Sequence, residues 1–135
     1  MTPDEQTKAL SLVEWTKKKI QVCQVDTKDV YYDAGQVWQA HVGENVGSEQ
    51  NGTGPGHSRP VLIIKKAGPK IVWAVPLTSK APETPWLMPL TTHKPGSAVI
   101  SQIKAFSPKR LIRLVQQADE KEFEEIKKQI RRLLE

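Results

Sequence analysis

The sequence has few of the features that usually mark a class of protein. It holds one cysteine, Cys23, so no disulfide can form within the chain, and a reducing compartment is the simple expectation. Cys23 itself is expected to be a small buried residue. The three histidines, His41, His57 and His93, have no metal-motif spacing and no cysteine partner, so neither a metal nor another cofactor is expected. The longest apolar runs, around Val61 and Ile71, are far too short to span a bilayer. Met1-Thr2-Pro3-Asp4-Glu5 lacks the basic start and apolar stretch of a signal peptide. A soluble cytoplasmic protein with no membrane partner is therefore expected. There is no internal repeat. The glycine-rich stretch at 43–58 lacks the Gly-Lys-Ser/Thr ending of a phosphate-binding P-loop.

What is present is a chain of 135 residues, enough for one domain with a single core. Its net charge of +5 is unevenly spread. Residues 1–26 and 119–135 are close to neutral, whereas residues 27–118 carry eleven Lys or Arg against five Asp or Glu. A basic middle favours a polyanionic partner, nucleic acid first.

The two ends read as helices. Thr2 caps the first, Pro3 suits its opening position and Glu5 completes a capping box. Ala9, Leu12, Val13, Thr16 and Ile20 follow as an apolar stripe up to about Gln24, and Trp15 is expected to dock this helix on the core. Asp119 caps the second helix, whose Phe123, Ile126, Ile130, Leu133 and Leu134 line one face. Between them, strands are expected at Gly35–Val42, Trp86–Thr92, Ala98–Phe106 and Leu111–Val115, with Pro89 placing the second of these at an edge. In an unbroken strand over 98–106, Ser101 and Lys104 lie on opposite faces. Residues 43–58 form the longest loop, which offers Asn45, Ser48, Glu49, Gln50 and His57 as polar groups suited to bases.

Ser58 to Ser79 reads as one hairpin, with Val61–Ile64 and Ile71–Val75 as its apolar runs and Ala67-Gly68-Pro69-Lys70 as its turn. A turn centred between Gly68 and Pro69 sets Arg59 opposite Thr78 at the open end. A guanidinium beside a hydroxyl at a sheet rim is suited to holding a phosphate.

Six pieces carry a resemblance: GQVW at 35–38, GENVGSEQ at 43–50, RPVLII at 59–64, VPLTSK at 75–80, SAVISQIKAF at 97–106 and KRL at 109–111. In this order they resemble the MazF/PemK family of toxin endoribonucleases from bacterial toxin–antitoxin pairs. The resemblance implies an α+β, mainly β fold: an SH3-like barrel of twisted antiparallel sheet with a C-terminal helix. Here residues 1–30 would add an N-terminal helical extension to a toxin domain at 31–135. It also implies a homodimer, a cognate antitoxin as partner, and metal-independent cleavage of single-stranded RNA. By position, Arg59 and Thr78 match the family's catalytic arginine and threonine. Ser48 and Gln102 match positions at the RNA groove, and Gln50, Lys80 and Lys104 join them as RNA-binding residues. Two departures stand out. Asn51 to Ser58 make a longer loop than is usual, and the acidic base of the PemK branch is missing near Ser101.

The residue types suit cleavage by the RNA's own 2′-hydroxyl, for which the protein supplies neither nucleophile nor metal. Arg59 is a permanent cation and a poor base at neutral pH. His57 is therefore the candidate acid or base, while His41 and His93 are expected to be structural or solvated. The alternatives are a same-fold toxin acting on a protein, as the related CcdB toxins act on gyrase, and a silent member that binds RNA or antitoxin without cutting.

Overall fold

The hairpin expected from the two apolar runs lies at the centre of the sheet. The computed structural model of the chain describes residues 1–79, 86–91 and 96–135; Lys80 and His93 lie outside them. Strand β2 (Ser58–Gly68) pairs antiparallel with β3 (Ile71–Thr78). Val61 faces Pro76, Leu62 faces Val75 and Ile63 faces Ala74, which is the expected register. The turn itself falls one residue later than expected, with Gly68 paired to Ile71 and Pro69-Lys70 between them, and irregularities between Ile63 and Lys65 and between Lys66 and Gly68 offset this so that the pairing nearer the open end keeps the expected register.

The other edge of β2 takes β1 (Gln36–His41), with Ala40 opposite Arg59 and His41 opposite Ser58. The far edge of β3 is shared by two short strands. The start of β3 pairs with β6 (Lys104–Phe106) and its end with β5 (Ser97–Val99), placing Thr78 opposite Ser97. Strand β4 (Leu87–Pro89) closes one edge of the sheet, where its proline is tolerated, and β7 (Leu111–Gln117) closes the other beyond β1. Seven antiparallel strands are thus found among the described residues, in the order β4-β5-β3-β2-β1-β7 with β6 also on β3. With a helix at each end, this is the expected α+β fold built on a twisted antiparallel sheet.

Both faces of the central strands are buried, which is why they read as unbroken apolar runs. Val37, Leu62, Val75, Leu77 and Ile100 pack with Ile126 of helix α2 (Glu120–Arg132) on one face. Trp38, Ala40, Val61, Ile63, Val72, Ala74 and Phe106 fill the other. Each wholly buried Val, Ile or Leu contributes about 1.5–3 kcal/mol relative to exposure. Neighbours such as Val37 and Trp38 serve opposite faces, as the strand's twofold period requires.

The structure corrects the expectation in three further places. The stretch 98–106 is broken by a 3₁₀ turn at Ile100–Gln102, so its side chains do not alternate simply, and Ser101 and Lys104 line one cavity rather than opposite faces. Cys23 is exposed. The third concerns helix α1 (Pro3–Cys23). Its capping box forms as expected, with Thr2 Oγ1 accepting from the Glu5 N–H at 3.1 Å. Its apolar stripe, however, faces outward: Val13 is 52% and Ile20 58% exposed. The helix docks by the opposite side, through Trp15 at 6% exposure and Val22. Trp15 lies against Gly43, where a Cβ would come within 2.4 Å of the indole. With φ at +95°, Gly43 is a position that only glycine fits on both counts. Trp15 docks the helix as expected, while the periodic stripe that marked the helix, with Leu12, Val13 and Ile20, stays exposed.

Deleting a buried aromatic side chain costs about 3–5 kcal/mol. Trp15→Ala is therefore expected to release α1 while leaving the sheet folded. Limited proteolysis should then cut within residues 3–23 first, and unchanged protection of α1 would contradict this docking.

Candidate functional site

Arg59 leaves β2 at the open end of the hairpin, partly buried. Its Nε donates to the Asn51 carbonyl at 2.6 Å and its Nη1 to the Leu77 carbonyl at 3.0 Å. Leu77 O belongs to the peptide that joins Leu77 to Thr78, so the guanidinium is anchored on the bond leading into Thr78. The register expected from the sequence thus brings these two residues together. Thr78 is 4% exposed. Burial lowers the pKa of Arg59 from its ordinary value; a guanidinium stays charged even so. Two of its five N–H donors are spent on these carbonyls, which fix its plane, and the others make no hydrogen bond among the described residues.

The loop between β1 and β2 is held from within. The side-chain oxygen of Asn51 accepts from the Asn45 N–H at 2.7 Å, and Asn45 Nδ2 donates to the Gln50 carbonyl at 2.8 Å. Gln102, on the 3₁₀ turn, clamps the same loop from across the sheet. Its Oε1 accepts from the Gln50 N–H at 2.6 Å and its Nε2 donates to the Ser48 carbonyl at 3.0 Å. Gln50 and Asn51 are neighbours, so one end of this clamp is a single peptide away from the carbonyl that holds Arg59. A cavity of about 440 Å³ opens beside it, lined by Ser48, Glu49, Ser101, Gln102, Ile103 and Lys104. Of the residues expected at the site, Arg59, Thr78, Ser48, Gln50, Gln102 and Lys104 therefore gather around one loop. Lys80 lies outside the described residues.

His57 and Asn45 sit elsewhere than a base-contacting role requires. His57 is 8% exposed, takes a positive φ of 48°, and lies under α1. Its Nε2 is 3.5 Å from Ser11 Oγ and its ring centroid 5.6 Å from that of Trp15. Asn45 is consumed within the loop. His41 is structural, with Nδ1 2.6 Å from the Gly56 carbonyl. Asn51 was missed in the sequence, since an asparagine in a glycine-rich loop gives no sign of which carbonyl will meet an arginine. Among the described residues, no group of three His, Cys, Asp or Glu could hold a metal ion, and no helix is long and apolar enough to cross a membrane.

The family model for the PemK-like, MazF-like toxin of type II toxin–antitoxin systems matches residues 33–134. The chain belongs to this toxin family. Solved structures agree on the fold. MazF from Deinococcus radiodurans superposes with a TM-score of 0.64 at 22% identity, covering 78% of this chain and 98% of that one. A chain of the MazE–MazF complex from the same organism gives 0.62 at 20% identity, over 78% and 97%. A mycobacterial endoribonuclease in complex with its cognate antitoxin gives 0.60 at 17% identity, over 77% and 95%. A comparison with curated proteins finds no match.

The match begins after α1, so this helix stands outside the MazF-like region and is joined to it by polar contacts as well as Trp15. Lys8 Nζ pairs with the Glu44 carboxylate and donates to the Asn45 carbonyl, and Ser11 Oγ donates to Glu44 at 2.9 Å. Burial acts to raise the Glu44 pKa, but the hydrogen bonds from Lys8 and Ser11, with the charges of Lys8 and His57, bring it below its ordinary value of 4.5. A carboxylate lowered by folding stabilises the fold above its unfolded pKa and loses that contribution as pH falls through its folded pKa. Docking of α1 is thus expected to hold from neutral pH down to about 4.5 and to weaken below it. Acrylamide quenching of Trp15 should rise there, and Glu44→Gln should flatten the pH dependence. An identical profile in the variant would contradict the role given to Glu44.

Proposed function

We propose that this MazF-like toxin is a metal-independent endoribonuclease that cleaves single-stranded RNA. The carrying observation is Arg59, partly buried and fixed by the Asn51 carbonyl of the loop and the Leu77 carbonyl at the bond leading into Thr78, with its other donors making no hydrogen bond among the described residues. In RNA, the 2′-hydroxyl attacks the adjacent phosphorus, the bond to the 5′-oxygen breaks, and a 2′,3′-cyclic phosphate and a 5′-hydroxyl result. One proton leaves the 2′-oxygen and one reaches the departing 5′-oxygen. Negative charge builds on the phosphate oxygens, and a preorganised guanidinium stabilises it more than water can. Thr78 is assigned as a second donor to the same oxygens. Ser48, Gln50, Lys80 and Lys104 are assigned to the flanking RNA, and Gln102 is assigned to positioning, since both ends of its amide hold the 48–50 backbone. His57 is given a structural role because α1 covers it.

The same reading takes residues 1–30 as an extension on a toxin domain of residues 31–135. It includes a homodimer and a cognate antitoxin as partners, the latter supported by relatives whose structures are complexes with antitoxins. A cytoplasmic site of action follows from such a substrate.

Incubation of the purified protein with a long single-stranded RNA in EDTA, with ends mapped by primer extension, tests the proposal. Discrete cuts are expected, and Arg59→Ala should slow them by at least about 10²–10³-fold, the usual effect of losing one donor to a developing oxyanion. Circular dichroism should show that variant folded. Full activity in Arg59→Ala would remove the site assignment. No cutting by a folded wild-type chain would favour a toxin acting on a protein or a silent binder.

A further inference from the structure

Lys104 lines three cavities; one is otherwise apolar, between Trp73, Ile103, Ala105, Ile130, Leu133 and Leu134, and the other two carry polar groups. Of these two, the larger is the one beside Gln102. The smaller, of about 190 Å³, lies between α1 and the 3₁₀ turn Pro108–Arg110, and its lining includes Trp15, Lys19, His41, Asn45, Lys104 and Arg110. Its volume is below that of ordinary small-molecule sites and suits a single anionic group. Three of its lining side chains are cations, and no Asp or Glu lines it. None of the three forms an ion pair among the described residues. Like charges gathered in a partly buried recess disfavour one another until an anion joins them. Burial lowers the pKa of Lys104, Arg110 lowers it further and Glu49 partly opposes this, while burial lowers that of Arg110 against an opposing contribution from Cys23.

The recess is fixed in place. Arg110 Nη1 donates to the His41 carbonyl at 3.1 Å, and its guanidinium carbon lies 5.7 Å from the Trp15 ring centroid. Trp15 therefore holds the guanidinium from one side while its other N–H groups remain for a ligand. His41 faces Ser58 across the β1–β2 ladder, one pair from Ala40 and Arg59. Lys109 Nζ donates to the Cys23 carbonyl at 2.7 Å, tying the end of α1 to the same turn. Lys19, from α1, adds the third charge.

We propose that α1 completes a second phosphate site, in which Lys19, Lys104 and Arg110 hold a phosphodiester flanking the one cleaved at Arg59. That the ligand belongs to an RNA strand rests on the nuclease reading; the cations and their recess do not. Lys104 lines both polar cavities, and this adjacency favours a strand, whose phosphates recur along its length, over an isolated anion. The site depends on a helix that lies outside the family match, so this chain would hold its substrate by a contact its MazF-like region alone lacks.

The test uses the full chain and a labelled single-stranded 2′-O-methyl oligonucleotide, which keeps the phosphates and lacks the nucleophile. Anisotropy gives Kd as a function of salt for the wild type, Lys19→Gln and Lys19→Arg. Lys19 is exposed and makes no hydrogen bond among the described residues, so both variants should fold. Lys19→Gln is expected to raise Kd several-fold whatever the sequence, and to make the slope of log K against log salt shallower by about 0.7, the value for one lost contact to a single strand. Lys19→Arg should retain both. Identical Kd and slope in Lys19→Gln would overturn the proposal, as would failure of the wild type to bind. A loss confined to an acidic peptide, with oligonucleotide binding unchanged, would also overturn it and assign the cations to a protein partner. The nuclease reading is judged separately on unmodified RNA. A wild type that binds through Lys19 but cuts nothing removes the nuclease and keeps the site. Cutting without Lys19 dependence removes the site and keeps the nuclease.

Discussion

The guanidinium of Arg59 is the constraint around which the site is built. A cation withdrawn from water is costly unless its donors are met, and among the described residues two of those of Arg59 are met, both by main-chain carbonyls. One comes from the β1–β2 loop, at Asn51, and one from β3, at Leu77. The side chain therefore joins the loop to the central hairpin, and the loop can do this only if its backbone stays in place. Asn45 and Asn51 brace it from inside and Gln102 from across the sheet. Because carbonyls rather than carboxylates hold Arg59, its full positive charge is left for an anion.

Helix α1 extends this bracing outward. Lys8 and Ser11 grip Glu44 at the start of the loop, and Trp15 lies on Gly43. Gly52 lets the loop close on itself, since a Cβ there would fall 1.8 Å from the His57 carbonyl oxygen. The added helix covers the base of this loop. The extension is thus coupled to the site through a continuous series of hydrogen bonds, from Lys8 through Asn45 and Asn51 to Arg59. His57 is buried in the seam between this helix and the loop, beside Ser11 and Trp15.

Much of the fold was legible in the residues. The two apolar runs of the hairpin, the capping box of α1 and the edge proline each express a local rule, and local rules survive folding. The register at the open end matches the expected one although the turn lies one residue later, because two irregularities in β2 offset that shift. Side-chain assignments that depended on regularity were less secure. The 3₁₀ turn at Ile100–Gln102 broke the alternation that would have separated Ser101 from Lys104, and nothing in SAVISQIKAF marks that break.

The sequence by itself determined the family, the strand pattern and the arginine–threonine pair, because each rests on short-range spacing or on motifs. The tertiary structure alone decided that the apolar stripe of α1 stays exposed while Trp15 docks, where His57 points, and that Arg110 and Lys19 share a recess with Lys104. Those outcomes depend on contacts between residues far apart in the chain, such as Trp15 with Gly43 and Lys109 with Cys23. Hydrophobic periodicity carries no record of such pairings, since the free energy of one well-fitted indole is settled only when its partner surface exists.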